Sequence, residues 1–406
     1  MRKASSWLVA GALALAACGG SADKQISVAS RDSSGVTILD HPAGSLAEVA
    51  RYGIGTPIHS LGGAGADSLH NPMTMRSAVF TGHGHFVVLD GASNRFVLFD
   101  SNGTVLGTYG RRGPGLDSLR SPSQPRFGSD GAIWFMDLPG RLVRVTADLR
   151  PMSMHQLGPK EPVAATAVLP AGNGVVAVAN EFTQPKTADT LIHRNRQYLL
   201  QLRPDGVDTL TSWPGGEWYI ESSSLGGEKM VTTQPVRFGR STVVRPWGSQ
   251  LIVATGDTWS FEVHDSTGKL KEIVMLHEPR RAVTVPLKDS IKARDLRQIA
   301  SMQGADEQMK AQVRASLDQE RFADSVAPFE DAIEARDGSL WMAETTLPTD
   351  SLRRYSVFDK DGHLTRRVQL PARNRVLAAD SDLVLVRRVD AGNVSYFDLA
   401  RITRLK

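Results

Sequence analysis

The sequence predicts an all-β fold, a six-bladed β-propeller with a short helical insertion, and three observations support that class. Six short apolar runs recur along the chain, bounded by turn residues and too short for helices. An eight-residue segment repeats at an offset of 50. Tight-hairpin sequences follow most of the runs.

The repeated segment is Gly65-Ala66-Asp67-Ser68-Leu69-His70-Asn71-Pro72, then Gly115-Leu116-Asp117-Ser118-Leu119-Arg120-Ser121-Pro122, identical at five of eight positions. A fixed period of that order marks a repeat architecture. The first three core runs are Gly84-His85-Phe86-Val87-Val88-Leu89-Asp90, Gly131-Ala132-Ile133-Trp134-Phe135-Met136-Asp137 and Gly174-Val175-Val176-Ala177-Val178-Ala179-Asn180. The others are Leu251-Ile252-Val253-Ala254, Gly338-Ser339-Leu340-Trp341-Met342-Ala343-Glu344 and Asp382-Leu383-Val384-Leu385-Val386. A second strand and a turn follow at 95–100 with Ser101-Asn102-Gly103 and at 198–202 with Pro204-Asp205-Gly206. The same pairing recurs at 260–264 with Ser266-Thr267-Gly268 and at 354–358 with Lys360-Asp361-Gly362.

Six such runs, each at the centre of a four-stranded unit, suit a ring in which twisted sheets bury one another's faces and leave only short edges. The longer third and fourth intervals require insertions. Gly35-Val36-Thr37-Ile38-Leu39 is an orphan strand, and residues 394–403 offer it partners, so one blade is expected to be completed from both termini. Between Pro286 and Pro328, Ile291, Leu296, Ile299 and Met302, then Met309, Val313 and Leu317, fall at helical spacing. Two amphipathic helices broken near Gly304 are expected there, an insertion over 286–327. Its apolar stripe either caps the propeller, which is the expectation, or docks a partner.

Asp90, Asn94, Arg95, Phe99, Asp100 and Gly103 are followed by Tyr109-Gly110 and the Gly113-Pro114-Gly115 turn leading to Pro122. In that order they resemble the NHL-type propeller repeat. The Gly-Pro-Gly to Pro segment also resembles a group of bacterial lipoproteins built as six-bladed propellers. The resemblance is close over about residues 60–150 and weaker to 406, and later units lack the Gly-x-Asp-Ser-Leu-x-x-Pro segment.

The chain starts with the basic Met1-Arg2-Lys3, continues in an apolar run over 7–17 and closes as Leu15-Ala16-Ala17-Cys18-Gly19-Gly20. This is the order of a secretory signal, and it is shorter than the roughly 20 apolar residues that span a bilayer. Its ending resembles the lipobox of bacterial lipoproteins, in which the cysteine is lipidated on sulfur and the chain is cut just before it. The resemblance implies lipidation of Cys18, a signal peptide over 1–17, a flexible tether over 18–33 and the propeller over 34–406. A plain signal peptide with a chance cysteine is the alternative. Several acyl chains, at roughly 0.8 kcal/mol per buried CH₂, suffice as an anchor. Gly19 after the cysteine resembles lipoproteins sorted onward, which implies the cell envelope, at the outer membrane or periplasm where a cell has two membranes.

Composition narrows the function classes. The 47 basic and 43 acidic residues are mixed along the chain, for a formal charge of +4, and about +2 once Arg2 and Lys3 are removed. Nucleic-acid binders concentrate such charge on one face, so no nucleic-acid partner is expected. A single cysteine excludes an internal disulfide and a cysteine-rich metal site.

No His-Glu-x-x-His, Gly-x-Ser-x-Gly or Gly-x-x-x-x-Gly-Lys motif is present, so no catalytic residue is assigned. Ser266-Thr267-Gly268-Lys269 matches Ser-x-x-Lys but falls on a hairpin tip. His83 and His85 lack the further ligands that zinc needs. Asp359-Lys360-Asp361-Gly362 starts like a calcium loop without its later glutamate.

Asp90, Asp137 and Glu344 fall six residues after Gly84, Gly131 and Gly338, so a ring of acids around a metal is one candidate. A structural pairing, Asp90 with Asn94 or Arg95, is the stronger expectation. Eight residues before the same glycine position stand Arg76, Arg240 and, by a looser match, Arg373, a candidate anion site in the central channel. A one-residue shift of register would turn each to the other face, and Glu330 holds that place in the fifth unit.

The expected function is a monomeric, lipid-anchored binding module for a protein, a glycan or a small anion, without cofactor or metal. The alternative is a metal-dependent propeller hydrolase or lyase of lactonase-like type.

Overall fold

Runs of β-branched and aromatic residues, opened by glycines at positive φ such as Gly131 and Gly338, decide the architecture. The computed structural model describes residues 26–405 except 64, 68, 72–74, 114–116, 129, 138–139, 157–164, 172–173, 182–188, 204, 226–227 and 302–305. The expected signal peptide and Cys18 lie outside the described residues.

Residues 29–33, expected in the tether, instead form β1 (Ala29–Ser33), paired antiparallel with β2 (Val36–His41). Partly buried Ile26 and Val28 pack on the core, which draws this stretch onto the body. One helical turn, α1 (Ser45–Glu48), leads to β3 (Ala50–Gly62). A first antiparallel unit follows: β4 (Met75–Gly82), β5 (His85–Asp90), β6 (Arg95–Phe99) and β7 (Val105–Tyr109). The second is β8 (Arg126–Phe127), β9 (Ala132–Asp137), β10 (Arg141–Thr146) and β11 (Pro151–Gln156).

In the third unit, β12 (Ala165–Ala171) and β13 (Gly174–Asn180) precede the long β14 (Asp189–Arg203) and β15 (Gly206–Leu225), and β16 (Glu228–Pro235) folds back on β15. The fourth holds β17 (Val243–Trp247), β18 (Gln250–Ala254), β19 (Ser260–His264) and β20 (Leu270–Leu276). After α2 (Val285–Ala300) and α3 (Glu307–Gln319) comes the fifth: β21 (Phe329–Glu334), β22 (Leu340–Glu344), β23 (Leu352–Phe358) and β24 (Leu364–Pro371). The last strands are β25 (Arg375–Asp380), β26 (Leu383–Val389) and β27 (Ser395–Arg404).

The fold is thus mostly β, with multiple four-stranded antiparallel units in a propeller-like arrangement. Each apolar run of the sequence is the second strand of its unit. Val87, Ile133, Val176, Ile252, Met342 and Val384, one from each run, have no exposed surface. Side chains alternate across a strand, so neighbours serve different interfaces. Val87 packs with Ile133 of the second unit, whereas Val88 packs with Leu385 of β26. Apolar clusters of this kind fill each junction between successive units. Covering a valine or leucine in this way contributes roughly 1.5–3 kcal/mol, so the stacking of sheets holds the chain together.

First strands lie beside the neighbouring units: β4 beside β25 and β8, β12 beside β17 and the second strand β9, and β21 beside β17 and β25. The termini join as the sequence suggested, but through another strand. β27 pairs with β3, from Tyr396 opposite Gly62 to Arg404 opposite Tyr52, while β2 adds in parallel to β20. The far edge of β3 runs parallel to β24. Gly53, Gly55 and Pro57 hide β3 in the sequence. A Cβ at Gly55 would stand 3.1 Å from the Arg401 carbonyl oxygen, which explains a glycine at a close backbone approach.

The two helices lie where their periodicity placed them. Thr284 and Asp306 cap their first turns by accepting the Leu287 and Met309 amides. Ile291 and Ile299 are buried, but Leu296, five residues after Ile291 and so off that face, is exposed. In α3 no residue is fully buried: Val313 and Leu317 are half-buried and Met309 is exposed. Charge also ties the pair to the body: Arg237 reaches Asp295 of α2 at 3.1 Å and Glu320 after α3 at 2.8 Å.

Candidate axial binding site

The first strands surround a cavity of about 960 Å³. Its lining comes from the ends of these strands and from the hairpins that lead into the second strands, including Gly131, Gly248 and Gly338.

Arg126 lies on the two-residue β8, opposite Trp134. Its Nε donates to Glu334 Oε2 at 3.0 Å, and its Nη2 also reaches the Gly248 carbonyl. Glu334 Oε1 in turn accepts the Gly248 amide at 2.7 Å. The second, fourth and fifth units are therefore joined by one guanidinium across the axis.

Arg245 of β17 reaches Asp331 of β21 at 2.7 Å, and Arg375 of β25 shares the same carboxylate. Arg336, in the β21–β22 hairpin, pairs with Asp380 of β25 at 3.2 Å. Arg144 of β10 pairs with Asp130 at 2.6 Å and lies 4.7 Å from the Trp134 ring centre. Partial burial pushes the Asp130 carboxyl up, but the Ala132 amide, the Trp134 indole and Arg144 outweigh it and hold its pKa below the usual value. Three guanidiniums, Arg126, Arg245 and Arg336, and two carboxylates, Asp130 and Glu334, thus line the cavity beside the rings of Trp134 and Phe127. Chemically this wall suits a ligand with an apolar body and an anionic group.

Arg76, Arg240 and Arg373 do not line this cavity and do not converge. Arg76 is the extra residue of a β-bulge, because Met75 faces Asp90 while Ser77 faces Leu89. A bulge re-aims its side chain, and Arg76 lies over Gly91 in the β5–β6 loop. Arg240 bonds Glu217 at 2.6 Å and Asp257 at 2.8 Å, the latter in the β18–β19 loop. Arg373 reaches Asn393 at 2.6 Å in the β26–β27 loop. Glu330, also a bulge residue, accepts the Thr346 amide at 3.3 Å. The four positions stand at the start of a first strand or just before it, and each side chain lies against or bonds the loop after the second strand of its own unit.

Asp90, Asp137 and Glu344 are buried at the ends of second strands, with their oxygens engaged. Asp90 accepts the Ala92 amide at 3.0 Å, the Ser93 hydroxyl and Arg95 at 3.3 Å. Asn94 donates instead to the Leu119 and Arg120 carbonyls. Asp137 accepts the Arg120 and Ser121 amides at 2.8 and 2.7 Å and pairs with Arg141. Glu344 accepts Ser356 Oγ at 2.9 Å and Arg367 Nε at 2.7 Å. Among the described residues, no group of three His, Cys, Asp or Glu side chains is placed to hold a metal ion.

No protein-family model and no curated protein matches the sequence. Solved structures do resemble it. A member of the DUF4221 family from Bacteroides vulgatus is 9% identical over 88% of this chain and 99% of that one, with a TM-score of 0.46. A Bacteroides fragilis protein assigned as exported is 12% identical over the same shares, with a TM-score of 0.43. Streptogramin B lyase is 9% identical over 82% of this chain and 94% of its own, with a TM-score of 0.36.

Sequence reasoning missed Arg126, Arg245 and Arg336. Counting back from the hairpin glycines Gly131, Gly248 and Gly338 reaches each within five residues, whereas counting to the strand starts leads to the other end of the strands.

Proposed function

We propose that this chain is a six-bladed NHL-like β-propeller, exported and lipid-anchored through Cys18, that acts at the cell envelope as a binding module. Its axial cavity takes a small ligand with an anionic group. What supports six blades is that every apolar run forms the second strand of its own unit and that each unit's first strand lies beside both neighbouring units or is packed against one of them.

The observation that carries the binding reading is the excess of one guanidinium over the carboxylates that line a roughly 960 Å³ space with aromatic walls, Arg126, Arg245 and Arg336 against Asp130 and Glu334. A cavity of several hundred Å³ with a few fixed polar groups is the usual form of a small-molecule site. Because each arginine is already oriented by a carboxylate, little side-chain entropy remains to be lost on binding.

The test is thermal melting with a panel of mono- and dicarboxylates, aromatic acids and phosphate monoesters, using the parent chain and Arg336→Ala. A ligand of this class raises the parent's melting temperature and has a weaker effect on the variant. If every active compound stabilises both equally, or none stabilises the parent, the axial reading fails. Cys18→Ala tests the anchor separately, since it abolishes incorporation of labelled fatty acid and release of the chain from membranes then follows.

A further inference from the structure

We infer that the loop after the first unit carries a second site, away from the axis, for a phosphate group. This inference does not depend on the axial reading. A pocket of about 500 Å³ is lined by Asn94, Arg112, Gly113, Ser118, Arg120 and Arg141, over the buried Leu119. These residues come from two adjacent units, and the pocket is built rather than incidental. Asn94 of the first unit grips the Leu119 and Arg120 carbonyls at 3.2 and 2.6 Å. From the second unit, Asp137 grips the Arg120 and Ser121 amides. The loop is closed at its neck by the Leu119 amide on the Arg111 carbonyl at 3.0 Å and by the Arg111–Asp117 ion pair at 3.0 Å.

The pocket is positively charged, with three guanidiniums and no carboxylate in its lining. Most other arginines near the loops have a carboxylate, as Arg141 has Asp137 and Arg111 has Asp117. The guanidiniums of Arg112 and Arg120 make no hydrogen bond or ion pair among the described residues. Arg141 is held in place by Asp137 and by the Ser118 carbonyl at 2.8 Å, and its buried Nε has no partner there. Two uncompensated cations beside a third, fixed guanidinium match a tetrahedral oxyanion carrying up to two negative charges, for which arginine's fork of donors is suited. A single carboxylate would balance only one of them. The phosphate is either that of a soluble compound or that of an anionic lipid headgroup.

The experiment uses the full chain with Cys18→Ala, so that no acyl group is attached. Inorganic phosphate is titrated calorimetrically, and in parallel the protein is co-sedimented with vesicles of phosphatidylglycerol or of phosphatidylcholine alone. Arg112→Ala/Arg120→Ala is expected to weaken phosphate binding at least about tenfold, the equivalent of one lost charge-assisted contact, at an unchanged melting temperature. Arg112→Lys/Arg120→Lys, which keeps the charges, is expected to retain most of it. Binding of phosphate without vesicle association assigns a soluble ligand; association with phosphatidylglycerol vesicles that phosphate competes away assigns a headgroup. The inference is overturned if the alanine pair binds as the parent does, or if the parent binds neither phosphate nor phosphatidylglycerol.

Discussion

Arg126 Nε stands 3.0 Å from Glu334 Oε2 although 208 residues separate the two in the chain. Ion pairs at a surface contribute little, but this one is about four-fifths covered on each side and shares its carboxylate with a backbone amide. It joins units that face each other across the cavity. The pair therefore reports on closure and on the binding space at once.

Closure itself rests on β27 and β3. Phe397, buried in the seam between the first and last units, is expected to lose about 3–5 kcal/mol on truncation to alanine. Denaturant unfolding of Phe397→Ala is expected to keep a single transition at a lower midpoint. A variant as stable as the parent would show that the termini do not close the ring.

The N-terminal strands are expected to be acid-sensitive. His41 is buried, with Nδ1 3.3 Å from the Met275 carbonyl and Nε2 accepting the Leu364 amide at 3.0 Å, an arrangement that needs the neutral ring. Burial pushes its pKa below the ordinary value, more than the Met275 carbonyl raises it; His363 lowers it further, and Asp359 and Asp40 oppose. The unfolded chain then binds more protons, so this contribution is complete above about pH 6.5 and is lost as the pH falls through the folded value. Unfolding midpoints between pH 7.5 and 5 should fall in the parent and fall less in His41→Gln. Equal slopes would remove His41 as the cause.

Glu344 serves structure. Glu344→Gln leaves Arg367 without its charge partner, and a loss of about 3 kcal/mol is expected from breaking so covered a pair. Chelation with EDTA is expected to leave the melting temperature of the parent unchanged. A large drop on chelation, reversed by calcium or zinc and absent in Glu344→Gln, would instead favour the metal-dependent enzyme.

The legible part of the fold was the part written in period two or period 3.6. Val87, Ile133 and Met342 announce their strands because both faces of each second strand are buried, so the runs are continuously apolar. Ile291 and Ile299 announce α2 by spacing alone. β3 was not legible, since glycines and Pro57 erase its pattern, nor was β8, whose two residues cannot show a period. Arg76 was read at the right position in its strand but the wrong direction, because a β-bulge adds a residue that leaves no local signature. The axial arginines escaped for a related reason: their partners, such as Glu334 for Arg126, are distant in sequence.

A double-mutant cycle on Arg126→Ala and Glu334→Ala, read by denaturant unfolding, tests most directly whether the sheets close around a shared axis. Two side chains in contact there are expected to show a coupling energy of about 1 kcal/mol or more. Strictly additive losses would mean that the second and fifth units do not meet across the cavity.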